Sequence, residues 1–430
     1  MAPRRTHRSQ QEHQQSMLAL LDEREVERRA EYAEFPRQPP SDDDADTQDS
    51  PCPIIDSWYN EGGAEAVRRL TNFSPREFNR LWGSVRPHVT RYWNVGRGRR
   101  SALAGKDVFF MTLSVLKHGG TWDMNAAIFC VKTPTFIKTI TAFLHVLAPR
   151  MYDDWVRAKA DETTMRNLVT SGRTFPNFPC ALYATDVTFQ QSNRPAGSMA
   201  EVMPFYSGKH KLYGLKVDVS VNPRGVAINC SDHARGNTPD ITMFRNNTEF
   251  HDAIRLKSES DLNLADGGPL KETFADEWAL LADKGYQGLG DQKRCIHPKK
   301  GRNLSRADQQ FNDDVSSDRV IVENFFGRLC TLWRVCADKY RWSEELYDDI
   351  FQISVGLTNF HIEYNPLREH NAEEYAQREH RMLAIGKEKA RKRRLSQEKY
   401  RRRKQMRLRM SLDDLPRHHD ADVDSDATQM

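Results

Sequence analysis

Asp186 stands in the stretch ALYATDVTFQQ, Asp283 near the end of EWALLADKGY, and Glu323 within RVIVENFFGRL, and in each case the neighbours are apolar residues that seek burial. An ionised carboxylate is costly in such a place unless something positive compensates it. Taken singly, each acid has an ordinary structural explanation. A strand-end carboxylate can cap a turn, and Glu323 can pair with Arg319 one helical turn back, a contact worth about 0.3–0.5 kcal/mol on a helix surface. Taken together, the three are harder to dismiss. If the two strands are neighbours and the helix crosses their ends, the carboxylates converge, and their mutual repulsion raises their pKa values unless cations sit between them. Magnesium or manganese suits that role, because hard cations prefer carboxylate oxygen. Two such ions about 3.5–4 Å apart can activate a water, hold a scissile phosphate and stabilise the leaving oxygen, which is phosphodiester chemistry.

The elements that must position these acids change character along the chain. From Pro75 to about Arg157 the pattern is helical. Ser74, Pro75 and Glu77 form a capping-box start, followed by Phe78, Leu81, Trp82 and Val85 at helical spacing. KDVFFMTLSVLKHGG reads as an amphipathic helix stopped by Gly119 and Gly120. TWDMNAAIFC and TPTFIKTITAFLHVL are two helices separated only by VKT, compatible either with a helix-turn-helix whose second helix presents Thr135, Lys138 and Thr139 to DNA, or with a plain helical bundle. From Phe178 the period shortens. ALYATDVTF, KLYGLKVDVSVN and GVAINCSDH read as successive strands, with the turn NPRG joining the last two. A helix starts in TPDITMFRN, EWALLADKGY is a buried strand, and SSDRVIVENFFGRLCTLWRV is a long helix capped by Ser316 or Ser317. Strands in meander followed by strands alternating with helices predict a mixed α/β sheet with helices on its faces.

Charge is concentrated outside these elements. Residues 1–50 hold twelve acids against seven bases and have little apolar periodicity, so disorder is expected there. Residues 387–409 hold thirteen Lys and Arg against two Glu, while 411–430 swing back with six Asp against one Arg. The net charge of +4 therefore conceals a strongly basic segment. Its RKRR and YRRRK runs read as a nuclear import signal, as non-specific DNA affinity, or as a solvated helix. The seven cysteines form no C-x-x-C pair, which points to reduced thiols in an intracellular protein. No apolar run approaches the roughly 20 residues that span a bilayer, so no membrane role is expected. The expected divisions are 1–55, a disordered acidic segment; 56–160, a helical domain; 161–370, the α/β domain; and 371–430, a basic tail ending in acids.

From about Ala181 to Leu367 the chain resembles the DDE transposases of the PIF/Harbinger group, which include domesticated transposase-derived nucleases. The likeness rests on ordered blocks: YATDVT, YSGKHKLYGLKVDVSVNPRG, ARGNTPDITMFRNN, LADKGYQG and FNDDVSSDRVIVENFFGRL. The third block departs from the family, which usually has a Gly-Ser-x-His-Asp core where this chain has GNTPD. The resemblance implies an RNase H-like catalytic domain behind a helix-turn-helix, with Asp186, Asp283 and Glu323 as the catalytic, metal-binding triad and Asp240 near them. It implies hydrolysis of DNA with two divalent ions, Mg2+ or Mn2+, and joining of the freed 3′-hydroxyl to target DNA. The rival readings are a domesticated nuclease and a non-catalytic, transposase-derived DNA-binding protein. Lys209 and Lys211 in the hairpin, with His210 between them, are candidates for DNA contact, and Arg319 for contact with phosphate or for bracing Glu323. Lys138 is a candidate in the helical domain. Lys299, Lys300 and Arg302 lie in the basic run KRCIHPKKGRNLSR, between the second and third acids. DNA ends and target DNA are the implied partners, a Myb-like accessory protein and a homodimer the further expectations, and the nucleus the expected location.

Overall fold

The computed structural model describes residues 52–97, 100–261, 263–367 and 370–413, with two short pieces at 15–19 and 21–22. The acidic stretch expected to be disordered and the acidic end of the tail lie almost wholly outside the described residues.

The helical part opens with α1 (Pro53–Thr71), α2 (Pro75–Tyr92) and α3 (Gly105–His118). The expected capping box forms at α2: the Ser74 side chain accepts from the Glu77 backbone, and the Glu77 carboxylate accepts from the Ser74 N–H at 2.7 Å. α3 differs from the amphipathic helix its sequence suggests, since every residue from Lys106 to His118 is buried. Its polar groups are tolerated because they reach backbone partners. Asp107 accepts from the Ile55 N–H at 3.0 Å, Lys117 donates to the Arg68 carbonyl at 3.0 Å, and a ring nitrogen of His118 lies 3.0 Å from the Arg69 carbonyl. α4 (Trp122–Ile128) and α5 (Thr133–Tyr152) follow, bent by 96° at the short break between them, and α5 runs on through a π-helical turn at Asp153–Arg157 to Glu162. Lys138 and Thr135 are exposed on α5. Thr139, expected beside them, is instead 9% exposed, because it shares the helix face of Phe136 and Ile140, both in the core. Among the described residues no single helix is long and apolar enough to cross a membrane.

The sheet contains β1 (Ala181–Gln191), β2 (Tyr206–Ser207), β3 (Leu212–Val221), β4 (Ala227–Cys230), β5 (Ala234–Arg235), β6 (Ala279–Leu281) and β7 (Cys295–Ile296). Its order is β2-β3-β1-β6-β7, with β4 and β5 also pairing with β3. β1 and β3 run antiparallel, whereas β6 lies parallel to β1, and β7 parallel to β6. Between β5 and β6 come α6 (Asp240–Asn246) and α7 (Thr248–Arg255). After β7 come α8 (Arg306–Leu332), α9 (Tyr347–Tyr364) and α10 (His370–Asp413). α8 starts three turns before the expected Ser316 or Ser317, at a capping box made by Ser305 and Asp308. Its early residues, RADQQFND, are mostly exposed and carry no apolar stripe that would have revealed a helix.

Successive strand residues face opposite ways, and the two faces feed two cores. Ala184, Val217, Val219 and Val221 join the large core that contains the helical part, α8 and α9. Tyr183, Ile228, Phe244, Trp278, Leu280 and Tyr286 make the second core. Phe73 and Trp155 both pack edge-on against Phe360 of α9. The change near residue 160 is thus one of secondary structure within a shared core. The chain divides into two compact units elsewhere, one reaching to Gly208 and resuming at Leu212–Glu379, the other comprising Lys209–Lys211 and His380 onward.

Candidate active site

Parallel pairing sets the first two acids side by side. Ala184 of β1 is in register with Leu281 of β6, so Asp186 and Asp283 each stand two residues beyond that pair, Asp283 just past the end of β6. Asp283 remains extended, with φ −79° and ψ 171°, before the chain turns at Lys284–Tyr286. The carboxyl ends of parallel strands are where open α/β sheets place their sites. The third acid comes from α8, which packs across this face of the sheet: Val322 and Phe325, flanking Glu323, are both fully buried in the large core, and Glu323 itself is half-buried.

Two features fix the helix. The Asp318 carboxylate accepts from the N–H groups of Asn177 (3.0 Å) and Phe178 (2.9 Å), tying α8 to the segment that leads into β1. Gly327 lets the chain at Asn371 come close, because a Cβ there would stand 2.0 Å from the Asn371 carbonyl oxygen. Sequence reasoning passed over Asp318, whose partners lie about 140 residues away.

Arg319, expected to contact phosphate or brace Glu323, has different partners. Its Nη2 donates to Asp186 Oδ2 at 3.0 Å while Nη1 lies 3.7 Å from Asp283 Oδ1, so the guanidinium bridges the two strands. The side chain is 7% exposed, a buried position rather than a surface open to DNA. The other Asp186 oxygen, Oδ1, accepts from the Val187 N–H at 2.8 Å. Burial pushes the Asp186 carboxyl up to about 7; Arg319 opposes the rise, and the charges of Asp283 and Glu323 add to it. The side chain keeps 22% of its surface open to solvent, so the upward direction, not its size, is the firm result, with desolvation its leading cause.

The donor set is hard oxygen from three elements, which suits a divalent cation. Among the described residues no three His, Cys, Asp or Glu side chains are gathered, as placed, to hold an ion. The guanidinium instead supplies the countercharge between Asp186 and Asp283.

Asp240 opens α6 beside this site. Its carboxylate takes an ion pair from Lys216 of β3 at 2.8 Å, and Lys216 also donates to the Thr238 carbonyl at 2.9 Å. A Cβ on Gly285, two residues after Asp283, would stand 3.4 Å from Asp240 Oδ2, so Asp240 backs the turn that carries Asp283.

The opposite face of β1 holds a second polar cluster. Asp218 of β3, in register with Val187, accepts from the Thr185 hydroxyl at 2.6 Å and lies 3.5 Å from His251 Nε2. His251 Nδ1 is 2.8 Å from the Tyr183 hydroxyl, and its ring stacks on Phe244 at 3.8 Å. Both Asp218 and His251 are wholly buried.

The basic run after β6 divides in two. Arg294 is buried and binds both oxygens of Asp266, at 2.6 and 2.7 Å; Lys293 pairs with Asp252 and Lys299 with Asp308, each at 2.6 Å. Lys300 and Arg302 are exposed and enter none of the ion pairs among the described residues. Lys209 and Lys211 are exposed in the turn between β2 and β3.

A curated relative, the probable transposase for insertion sequence element IS702 of Microchaete diplosiphon, is 22% identical over 186 residues. The aligned region covers 42% of this chain and 57% of the relative, so the chain spans little more than half of that protein's length. No solved structure matches. The family model for the DDE superfamily endonucleases matches residues 184–359, a stretch that begins at the register pair of β1 and takes in Asp186, Asp283 and Glu323.

Proposed function

We propose that this chain is a transposase-type DNA endonuclease of the PIF/Harbinger group with an RNase H-like catalytic domain, and that Asp186, Asp283 and Glu323 are its catalytic carboxylates. The observation that carries this reading is the equal offset of Asp186 and Asp283 from one register pair of two parallel strands, with one guanidinium bridging them. Magnesium or manganese, when bound, would supply activation of water and charge neutralisation at the phosphate. The protein's own part is to hold oxygen ligands from β1, from the turn after β6 and from α8 at one sheet edge. Asp240 and Lys216 steady the turn that bears Asp283, and Asp318 steadies the helix that bears Glu323. Water and later a 3′-hydroxyl serve as nucleophiles, so no Ser, Cys or Tyr is needed at the centre.

Exposed bases would carry the DNA backbone. Lys300 and Arg302 are the best placed by exposure, with Lys209, Lys211 and Lys138 as further contacts, and Lys299 contributing only if it leaves Asp308. The pair α4 and α5, with Lys138 on its outer face, is read as a helix-turn-helix. The exposed bases of α10 give non-specific DNA affinity and nuclear import. Action on two element ends calls for a homodimer, and a Myb-like protein is the expected accessory.

The test is cleavage of end-labelled duplex DNA in Mg2+ or Mn2+ by the full chain, by Asp186→Asn and by Glu323→Gln. Cutting by the wild type and loss in both variants supports the proposal. Equal cutting by all three removes the triad, and no cutting by any version favours a DNA-binding protein that retains the fold alone.

A further inference from the structure

Two buried arginines in this molecule are held very differently. Arg294 is fully buried and saturated: it donates to both oxygens of Asp266, to the Glu277 carbonyl at 2.8 Å and, through Nε, to the Pro269 carbonyl at 3.1 Å. Arg319 makes one hydrogen bond, to Asp186, and approaches Asp283 only to 3.7 Å, while its buried Nε has no hydrogen-bond partner. Buried guanidinium donors are normally satisfied. An arginine left with spare donors between two carboxylates is a cation in place for its charge, with little else to hold it.

We propose that Arg319 is a resident counter-cation of the carboxylate site, which a divalent ion must displace from Asp186 and which is then released toward substrate phosphate. The inference rests on the functional reading above, since it needs Asp186 and Asp283 to take an ion. Its basis is geometric. Arg319 occupies the gap between the same two carboxylates, and both oxygens of Asp186 are already engaged, one by Arg319 and one by the Val187 N–H. A divalent ion arriving there meets a fixed positive charge at close range and competes with it for Asp186 Oδ2. Arginine cannot relieve the conflict by losing its proton, so it must move. Its planar fork matches phosphate oxygens as well as carboxylates. By linkage, whatever draws Arg319 off Asp186 tightens ion binding, so phosphate and ion favour one another. The device keeps the acids together while no ion is bound and couples ion uptake to DNA.

The test is a titration of the full chain with Mn2+, free ion being followed by electron paramagnetic resonance. The site's share of binding is the part that Asp283→Ala removes. Arg319→Gln, which keeps hydrogen-bonding capacity without charge, is expected to bind Mn2+ at this site at least about tenfold more tightly than the wild type. Arg319→Lys, whose ammonium lacks the fork that spans two carboxylates, should fall between them, and it carries the test if the glutamine variant does not unfold cooperatively. Site binding equal to or weaker than wild type in the folded variants overturns the inference and leaves the functional reading standing. An absence of site binding in every version overturns both.

Discussion

The two faces of the paired strands β1 and β3 carry acids of opposite fate. On one, Asp218 is sealed from water, bonded to Thr185 and paired with His251, which in turn meets Tyr183. On the other, Asp186 stays partly exposed, faces the charges of Asp283 and Glu323, and has one loosely held arginine as countercharge. One register position of the β1–β3 pair separates the two situations, Asp186 lying opposite Val219 and Asp218 opposite Val187. The sealed face gives its single acid a hydroxyl donor and an imidazole neighbour, with Asp218 Oδ2 and His251 Nε2 left without hydrogen-bond partners; the Asp186 face keeps negative charge in excess. An unbalanced cluster costs stability, and such clusters are characteristic of working sites.

That contrast can be broken in several ways. The largest effect is expected on cleavage: Asp186→Asn or Asp283→Asn should lower DNA nicking at least about a thousandfold, equivalent to about 4 kcal/mol of barrier, with the urea midpoint held or raised. A variant that loses cleavage only as it loses folding would erase the distinction between the faces. Next, Asp218→Ala should cost about 3–5 kcal/mol, because it strands His251 and Thr185 in a sealed core; chemical denaturation measures this, and the fraction still folded should cut at the normal rate. If Asp218→Asn abolished cutting without moving the denaturation midpoint, the buried cluster would be part of the chemistry.

The raised Asp186 carboxyl gives a smaller, pH-dependent effect. Between about pH 4 and pH 7 the folded chain retains a proton that the unfolded chain has released, so this group makes stability fall as pH rises through that window and level off above about 7. Asp186→Asn should remove that slope and gain about 1–3 kcal/mol at pH 8, since it keeps an acceptor for Arg319 without the charge. Thermal unfolding of both proteins across pH 4–8 checks the sign. The smallest effect concerns the basic run after β6. Replacing Lys300 and Arg302 by Ala should flatten the salt dependence of DNA binding by about 0.9 per lost phosphate contact, whereas Lys293→Ala and Lys299→Ala, whose charges Asp252 and Asp308 already neutralise, should barely change it.

Much of the site can be read from local pattern. The run ALYATDVTFQQ forms a strand over its full length, and β3 and β4 follow where alternation and the NPRG turn place them. Glu323 sits on a helix with Val322 and Phe325 in the core, as spacing requires. What escaped was set by partners distant in sequence. Arg319 has two local explanations, a phosphate contact or a brace for Glu323, yet its bond is to Asp186, 133 residues away. β7 is a two-residue strand hidden in a run of bases, legible only through its pairing with β6. Lys293, Arg294 and Lys299 look like DNA ligands because their acids lie on other elements. The wholly buried α3 looks amphipathic because its Lys106, Asp107, Lys117 and His118 give no sign of the backbone groups that await three of them.

The account stands or falls on whether one ion can be shared by acids from β1, the turn after β6 and α8. Anomalous scattering from a crystal of the full chain soaked in Mn2+ measures this directly. The expected result is a peak within about 2.1–2.6 Å of oxygens from Asp186 and Asp283, with Arg319 moved off Asp186. Saturating Mn2+ that leaves this position empty, with Arg319 still bonded to Asp186, would contradict it.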